Sequence, residues 1–210
     1  MALDSEFMGI VRLAENAVRN ILDSFPDDFA FHDFTHSKQV QDAVIVLGRM
    51  EGLDEDEIEI LEIAALFHDA GYGLGAIDHE LRGAQLAEDF LKAENKSQFI
   101  KQVRALILST KVNKSPDSSL GKVLCDADLS YLGSELYHPR ASLLRHEMYC
   151  TRKRSFSELD WLKFNLDFFK KHHFLTSSAR VLLGPKKDFN QLELENRVKE
   201  LESDSANEKA

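Results

Sequence analysis

The chain has 210 residues, of which 43% are hydrophobic and 30% are charged, and its formal net charge is -10 at pH 7. This length and composition suit one globular domain with a helical extension. No apolar run approaches the roughly 20 residues that span a bilayer, so we expect no membrane partner. The acidic balance opposes binding to polymeric nucleic acid, because phosphate contacts need a basic face. A small-molecule partner is therefore expected.

The N-terminal sequence and the cysteines indicate the cellular compartment. The opening sequence Met1-Ala-Leu-Asp-Ser-Glu6 lacks the basic region and apolar core that mark a secretory signal. Cys125 and Cys150 show neither the spacing of a disulfide framework nor that of a metal site. Both observations favour a reducing cytoplasm.

Apolar residues recur with a helical period along nearly the whole chain. The Val-, Ile- and Thr-rich alternation of strands is absent, so the sequence predicts an all-α protein. A first helix opens at Asp4 or Ser5 and stops near Pro26, because proline disfavours helix at the residue before it.

Capping and breaking residues define the next two helices. Gly52 ends the helix that carries His36. Asp54 and Glu57 then form a capping-box pattern, which opens a helix that leads through an apolar run to His68-Asp69.

Three histidines, His36, His68 and His79, continue the apolar stripes of three successive helices. They are therefore expected to point toward a shared interior from its rim. A single buried histidine is more often a hydrogen-bonded core residue than a ligand. The His68-Asp69 pair is costly to bury unless something binds it, and the three stripes together indicate a metal ion.

Two further carboxylates lie in the segment 124–131. If this segment is helical, Asp128 shares a face with Leu124 and Tyr131, whereas Asp126 lies nearly opposite, beside Lys122. Asp128 is therefore the better ligand candidate. Capping or decorating a helix is the alternative for either aspartate considered alone.

The set His36, His68-Asp69 and Asp128 resembles the ligand set of the HD-domain metal-dependent phosphohydrolases. This all-helical superfamily includes cyclic-nucleotide phosphodiesterases and nucleotide phosphatases. The resemblance covers roughly residues 30–135 and implies that these four residues are the ligands of one ion. The stretch 31–40 also resembles the first motif of phosphodiesterase-like members, in which a histidine four residues before the metal ligand serves as a proton donor. His32 matches that position, although Asp33 stands where those enzymes usually carry Asn.

Two imidazoles and two carboxylates without thiolate suit an octahedral divalent ion such as Mn, Fe, Ni, Co or Mg better than a structural zinc. We expect one ion, because Thr110-Lys111 stands where two-metal members carry extra histidines, which leaves only His79 to serve a second ion. The extra histidines of the superfamily's di-iron oxygenase branch are not evident either. Asp69 is expected to belong to the catalytic residues as well as to the ligands.

Three more residues are candidates around the ion. His79 is placed for proton transfer or phosphate contact, and Glu80 for acting as a base or orienting a water. A carboxylate in a first turn also simply stabilises a helix dipole. Lys111 could hold a substrate phosphate, although the commoner role of a lysine near a helix C-terminus is to complement the dipole.

Beyond Gly133 the resemblance weakens. We divide the chain into an HD-type domain that includes the C-terminal helices, residues 1–184, and a charged terminal helix with a disordered tail, residues 185–210. The stretch Tyr137-His-Pro-Arg140 is expected to interrupt a helix. A narrow apolar stripe of the terminal helix, at Leu194, Val198 and Leu201, should pack on its own domain or on a second copy, with a homodimer slightly favoured.

The sequence thus predicts an HD-type phosphohydrolase that uses one divalent ion and an activated water to hydrolyse a small phosphate ester. Nucleotide monophosphates and cyclic nucleotides are the leading substrates, with His32 as the acid. The alternative is a non-catalytic HD-fold module that binds metal or nucleotide and regulates a partner through its C-terminal helix. All four ligand positions carry residues that can bind a metal ion, which favours the enzyme over the non-catalytic module.

Overall fold

A computed structural model describes residues 3–111 and 114–207 of the chain. Within these ranges the chain forms helices and no strand, which confirms the predicted all-α class. The α-helices are α1 Leu3–Leu22, α2 Phe34–Met50, α3 Glu55–Phe67, α4 His79–Ala93, α5 Ile100–Ile107, α6 Ser119–Asp128, α7 Tyr137–Arg152, α8 Glu158–Lys171, α9 Ser177–Leu182 and α10 Gly184–Asn207. Short 3-10 helices lie at Tyr72–Leu74, Ser97–Phe99 and Ser130–Gly133.

The central helix of the bundle is α3, which contacts α1, α2, α4, α5 and α6. Nearly all of its residues from Ile58 to Phe67 are buried, and Leu61, Ala64, Ala65 and Leu66 are fully inaccessible. A helix that is apolar on every side is stable only when neighbouring helices surround it. The end of α3 therefore lies inside the protein, where a polar residue has few partners to choose from.

The boundaries of α2 and α3 follow the predicted signals. Asp54 accepts a hydrogen bond from the Glu57 backbone N–H, and the Glu57 side chain accepts one from the Asp54 backbone N–H, so the capping box is confirmed. Gly52 has a φ of +78°, which suits a glycine just after the end of α2. Asp33 caps the start of α2 by accepting a hydrogen bond from the His36 backbone N–H at 2.8 Å.

A second apolar cluster forms in the C-terminal part, where α7, α8 and α10 meet the 3-10 helix Ser130–Gly133. Leu194 and Val198 of α10 are buried in it, so the predicted stripe packs against its own chain. The helix α10 runs to Asn207, so it includes most of the end of the chain, where the sequence predicts a disordered tail within residues 185–210. The division of the chain at residue 185 stays a prediction.

One expectation for this region is wrong. The stretch Tyr137-His-Pro-Arg140 does not interrupt a helix, because it forms the first turn of α7. Pro139 is tolerated there since the N–H groups of a first turn have no partner within the helix. None of the described helices combines the length and the apolar composition needed to cross a bilayer.

Candidate metal centre

Three helices bring His36, His68, Asp69 and Asp128 to one point. His36 lies in the first turn of α2, His68 and Asp69 directly follow α3, and Asp128 is the last residue of α6. One donor atom from each residue lies within 4.8 Å of the others. His36 Nε2 is 3.1 Å from Asp128 Oδ1, and His68 Nε2 is 3.0 Å from Asp69 Oδ2. Imidazole and carboxylate donors at such distances form a candidate site for one divalent ion.

The orientation of the His68 ring supports a ligand role. Its Nδ1 lies 2.7 Å from the carbonyl oxygen of Ala65, to which it donates its proton. In the neutral ring this leaves the lone pair on Nε2, directed at the carboxylates. That Nε2 atom is buried without a partner in hydrogen-bond geometry among the described residues. A buried nitrogen in this state is explained by an ion that several donors share.

The side chains of the cluster attract one another electrostatically, which shifts their pKa values. Burial alone would raise the pKa of Asp69, but the charges of His68 and His32 and a hydrogen bond from His36 hold it well below its usual range. Burial would likewise lower the pKa of His68, yet Asp69 and Asp128 raise it well above its usual value. The carboxylates are therefore ionised at neutral pH, and binding of a metal ion must displace a proton from His68.

His32 lies at the edge of this group, at the end of the loop before α2. Its Nε2 is 3.8 Å from Asp69 Oδ2, and its Nδ1 is 2.5 Å from Glu147 Oε1 on α7. The pKa of Glu147 would be raised by burial, but the His32 ring and the backbone N–H groups of His32 and Phe31 lower it. An ionised Glu147 thus accepts the Nδ1 proton, and Nε2 is the ring nitrogen turned toward the site.

Sequence reasoning missed both Glu147 and Tyr72. The Tyr72 ring stacks on the His32 ring with centroids 3.5 Å apart and planes 12° apart. Its hydroxyl accepts a hydrogen bond from Arg152 at 2.6 Å. Glu147 is 115 positions from His32, so no local spacing could have revealed the pair.

His79, the first residue of α4, also reaches Asp69. Its Nε2 is 3.2 Å from Asp69 Oδ1, and its Nδ1 is 2.7 Å from the carbonyl oxygen of Ala76. Both ring nitrogens therefore face oxygen acceptors, which favours the doubly protonated ring. Burial lowers the pKa of His79, but Asp69 raises it more, so the net direction is upward. Glu80 is buried with Oε2 3.6 Å from His79 Nδ1, on the far side of that ring from Asp69.

Two glycines allow the start of α4 to lie very close to the end of α3. A Cβ added to Gly83 of α4 would lie 2.5 Å from the Phe67 carbonyl oxygen, and one added to Gly71 would lie 2.3 Å from the His79 carbonyl oxygen. The start of α4 can therefore contact the end of α3 only without side chains at these positions. This close approach places His79 beside Asp69.

Lys111 does not touch the four clustered residues. Its Nζ is 2.7 Å from Asp78 Oδ1, in an exposed ion pair next to His79. The preceding helix α5 ends earlier, at Ile107. Lys111 thus lies at the rim of the centre, where it forms an ion pair with Asp78, the residue before α4.

Asp126 lies on the Lys122 side of α6, as the helical spacing predicts. It is nevertheless buried, and it accepts hydrogen bonds from the Thr176 hydroxyl and from the backbone N–H groups of Leu175 and Thr176. The chain between α8 and α9 covers this side of α6, which helical periodicity alone does not reveal. Asp126 is a structural carboxylate that holds the residues at the start of α9, and Asp128 is the one directed into the centre.

Residues 33–130 match the family model of the HD domain, so this part of the chain is similar to that family. A protein from an uncultured Thermotogales bacterium, described as a predicted HD superfamily hydrolase, is 22% identical with a TM-score of 0.63, over 90% of this chain and 92% of that one. A protein from Lactobacillus plantarum is 17% identical with a TM-score of 0.63, over 91% of this chain and 98% of that one. At these identities the likeness shows the fold alone. No curated protein matches the chain.

The matched segment contains all four clustered residues, whereas Glu147 lies beyond it. HD domains typically bind a divalent metal ion. The donor set fits such an ion, because it combines an orphaned buried imidazole nitrogen with two ionised carboxylates.

Proposed function

We propose that this protein is a metal-dependent phosphohydrolase that cleaves a small phosphate ester, with a nucleotide or cyclic nucleotide as the leading substrate. The observation that carries the proposal is the convergence of His36, His68, Asp69 and Asp128 beside a histidine that a carboxylate holds in place. An ion site next to an oriented proton donor is what hydrolysis of an ester requires.

The four clustered side chains would hold the ion. When bound, a divalent ion lowers the pKa of a water ligand and polarises the phosphoryl oxygen under attack. His36 and His68 contribute their Nε2 atoms, and Asp69 and Asp128 contribute negative charge that favours a divalent cation over the protons now held by the imidazoles.

His32 is assigned the proton that the leaving oxygen needs. Glu147 Oε1 accepts the proton on Nδ1, so Nε2 is the ring nitrogen that faces the centre and would give its proton to the leaving oxygen. Stacking on Tyr72 restricts the ring to one plane. The acid is therefore oriented before substrate binds, which lowers the cost of reaching the productive geometry.

His79 is assigned to the phosphate. Its protonated ring beside Asp69 presents positive charge at the edge of the centre, and Lys111 adds a second cation at the rim. Glu80 supports His79 from its other side instead of activating the water. The acidic chain as a whole, with a net charge of -10, disfavours polymeric phosphates and leaves small esters.

The test is metal reconstitution followed by an activity screen. Protein stripped with a chelator is reloaded with Mn, Fe, Ni, Co or Mg separately and assayed for phosphate release from mononucleotides, cyclic nucleotides and nitrophenyl phosphate. We expect turnover with at least one ion. His68→Ala should lose bound metal and activity together, whereas His173→Ala, at an exposed histidine, should keep both.

Circular dichroism of His68→Ala checks that the helical fold persists. Full metal occupancy in this variant would contradict the assigned centre. Metal binding without phosphate release from any ester would instead support a regulatory module of the same fold.

A further inference from the structure

A cavity of about 490 Å³ lies on the side of α7 that faces α8 and the chain between these two helices. Its volume is in the range of pockets that hold small molecules. Leu194 of α10 closes one part of it. In the described part of the chain, its lining includes none of the residues assigned to the metal centre.

Helix α7 separates this cavity from the centre. His138, Ser142, Arg145 and Tyr149 follow one another at spacings of three or four residues, so they share the face that lines the cavity. Glu147 lies on the opposite face and contacts His32. A ligand in the cavity would therefore leave the metal centre open.

The charge of the lining is opposite to that of the whole chain. Arg145, Arg154, His138 and His146 line the cavity, and Glu158 is the single carboxylate among the lining residues of the described chain. In a protein of net charge -10, such a lining is a local basic site on an acidic surface. It favours an anion.

Arg154 carries the charge that is available to a ligand. Arg145 is already 2.6 Å from Glu158 and donates a second hydrogen bond to the Phe156 carbonyl oxygen at 2.7 Å. The Arg154 guanidinium lies 4.5 Å from the Phe156 ring centroid and forms no ion pair with a carboxylate of the described residues. Its backbone is held, because its N–H donates to the Met148 carbonyl oxygen at 3.1 Å. A positioned guanidinium without a counter-charge suits a phosphate or carboxylate.

Aromatic rings form the rest of the lining. Phe156 and Trp161 pack edge to face with centroids 5.2 Å apart, and Tyr149 is 59% exposed at the mouth of the cavity. Aromatic rings can stack on a planar group of a ligand, and the guanidinium beside them can bind its anionic group.

We propose that this cavity is a second binding site, separate from the metal centre, for a small organic anion that joins a phosphate to a planar ring, as a mononucleotide does. Arg154 binds the phosphate, and the ring lies against the aromatic side chains. The site has no part in the proposed hydrolysis, and it stands whether or not that activity is found.

The chain contains one tryptophan, and Trp161 lines the cavity, so its fluorescence reports binding directly. AMP and UMP are titrated into full-length protein in the presence of a chelator, with adenosine and inorganic phosphate as separate probes. We expect saturable quenching by at least one mononucleotide. Adenosine and phosphate should each bind at least about tenfold more weakly, because each lacks one half of the recognised chemistry.

Arg154→Gln should weaken nucleotide binding by at least about tenfold, the loss expected when a charged hydrogen-bond partner is removed. Arg12→Gln, at an exposed arginine of α1, is the matched control and should bind as the parent does. Ser142→Phe provides a second test, since it fills part of the cavity from an exposed position of α7. Circular dichroism checks the fold of each variant.

Asp128→Asn should bind the nucleotide with unchanged affinity, which separates this site from the metal centre. The proposal is overturned if no nucleotide gives saturable quenching at millimolar concentration. It is also overturned if Arg154→Gln and Ser142→Phe bind as the parent does, or if Asp128→Asn abolishes binding.

Discussion

Glu147 Oε1 lies 2.5 Å from His32 Nδ1, and the other oxygen of the same carboxylate accepts the backbone N–H groups of Phe31 and His32 at 2.9 Å and 3.0 Å. One side chain of α7 thus fixes both the ring and the backbone of the segment that delivers His32. Because the contacts are charge-assisted, this segment is held firmly against the bundle.

The first prediction follows from this pair. Removing the carboxylate charge in Glu147→Gln should impair His32 as an acid, so turnover of an alkyl phosphate should fall by about 10-fold to 100-fold. Turnover of nitrophenyl phosphate should change little, because its leaving oxygen needs no proton. Steady-state rates on the two substrates are the measurement, and His32→Ala should show the same contrast at greater size. Equal losses on both substrates would remove His32 and Glu147 from the acid role.

The second prediction separates two aspartates of α6. Asp128→Asn should lower metal content, since it replaces a charged donor in the cluster. Asp126→Asn should keep the metal but lower stability by about 1–3 kcal/mol, because it weakens charge-assisted hydrogen bonds to Leu175 and Thr176. Elemental analysis and thermal unfolding of both variants measure this. The reverse pattern would mean that the two carboxylates have been assigned the wrong way round.

The third prediction concerns Glu59, whose two carboxylate oxygens are buried without a hydrogen-bond partner among the described residues. Burial first, and then the charges of Glu62 and Asp56, raise the pKa of Glu59 from 4.5 to about 7. At pH values between 4.5 and about 7, Glu59 keeps its proton in the folded protein but loses it in the unfolded chain. The contribution of Glu59 to stability therefore falls as pH rises. Above pH 7 Glu59 is ionised in the folded protein too, so the full cost of its buried charge lowers the stability.

Glu59→Gln removes that charge with little change of shape. We expect the variant to be more stable than the parent by on the order of 2 kcal/mol at pH 8, with the difference vanishing toward pH 4.5. Denaturant unfolding at several pH values measures it. A difference that does not change with pH would show that Glu59 titrates normally in the folded protein.

The fourth prediction uses a glycine pair. Gly83→Ala should destabilise the protein by about 1–3 kcal/mol, since the new Cβ would lie 2.5 Å from the Phe67 carbonyl oxygen and force α4 away from α3. Gly9→Ala, in α1, has nothing within 4 Å of its added Cβ and should stabilise by up to about 1 kcal/mol. Chemical denaturation compares them. If both variants were stabilised, the contact of α4 with the end of α3 would be looser than described.

Much of the architecture could be predicted from the sequence, because the signals are local. The capping box at Asp54 and Glu57, the glycine after α2 and the period of the apolar residues act within a few positions of one another. The same periodicity predicts that His36, His68 and Asp128 face the protein interior. In the structure they lie together with Asp69. The prediction that Pro139 interrupts a helix fails, since the penalty for proline disappears in a first turn.

The packing of the helices, in contrast, determines which distant groups meet. The burial of Asp126 depends on the chain before α9, the orientation of His32 depends on Glu147, and the basic cavity depends on how α7 packs beside α8. A helical period specifies which face of a helix is buried, but it does not specify the neighbour that covers that face. That choice is made by the packing of whole helices, whose contacts join residues more than a hundred positions apart in the chain.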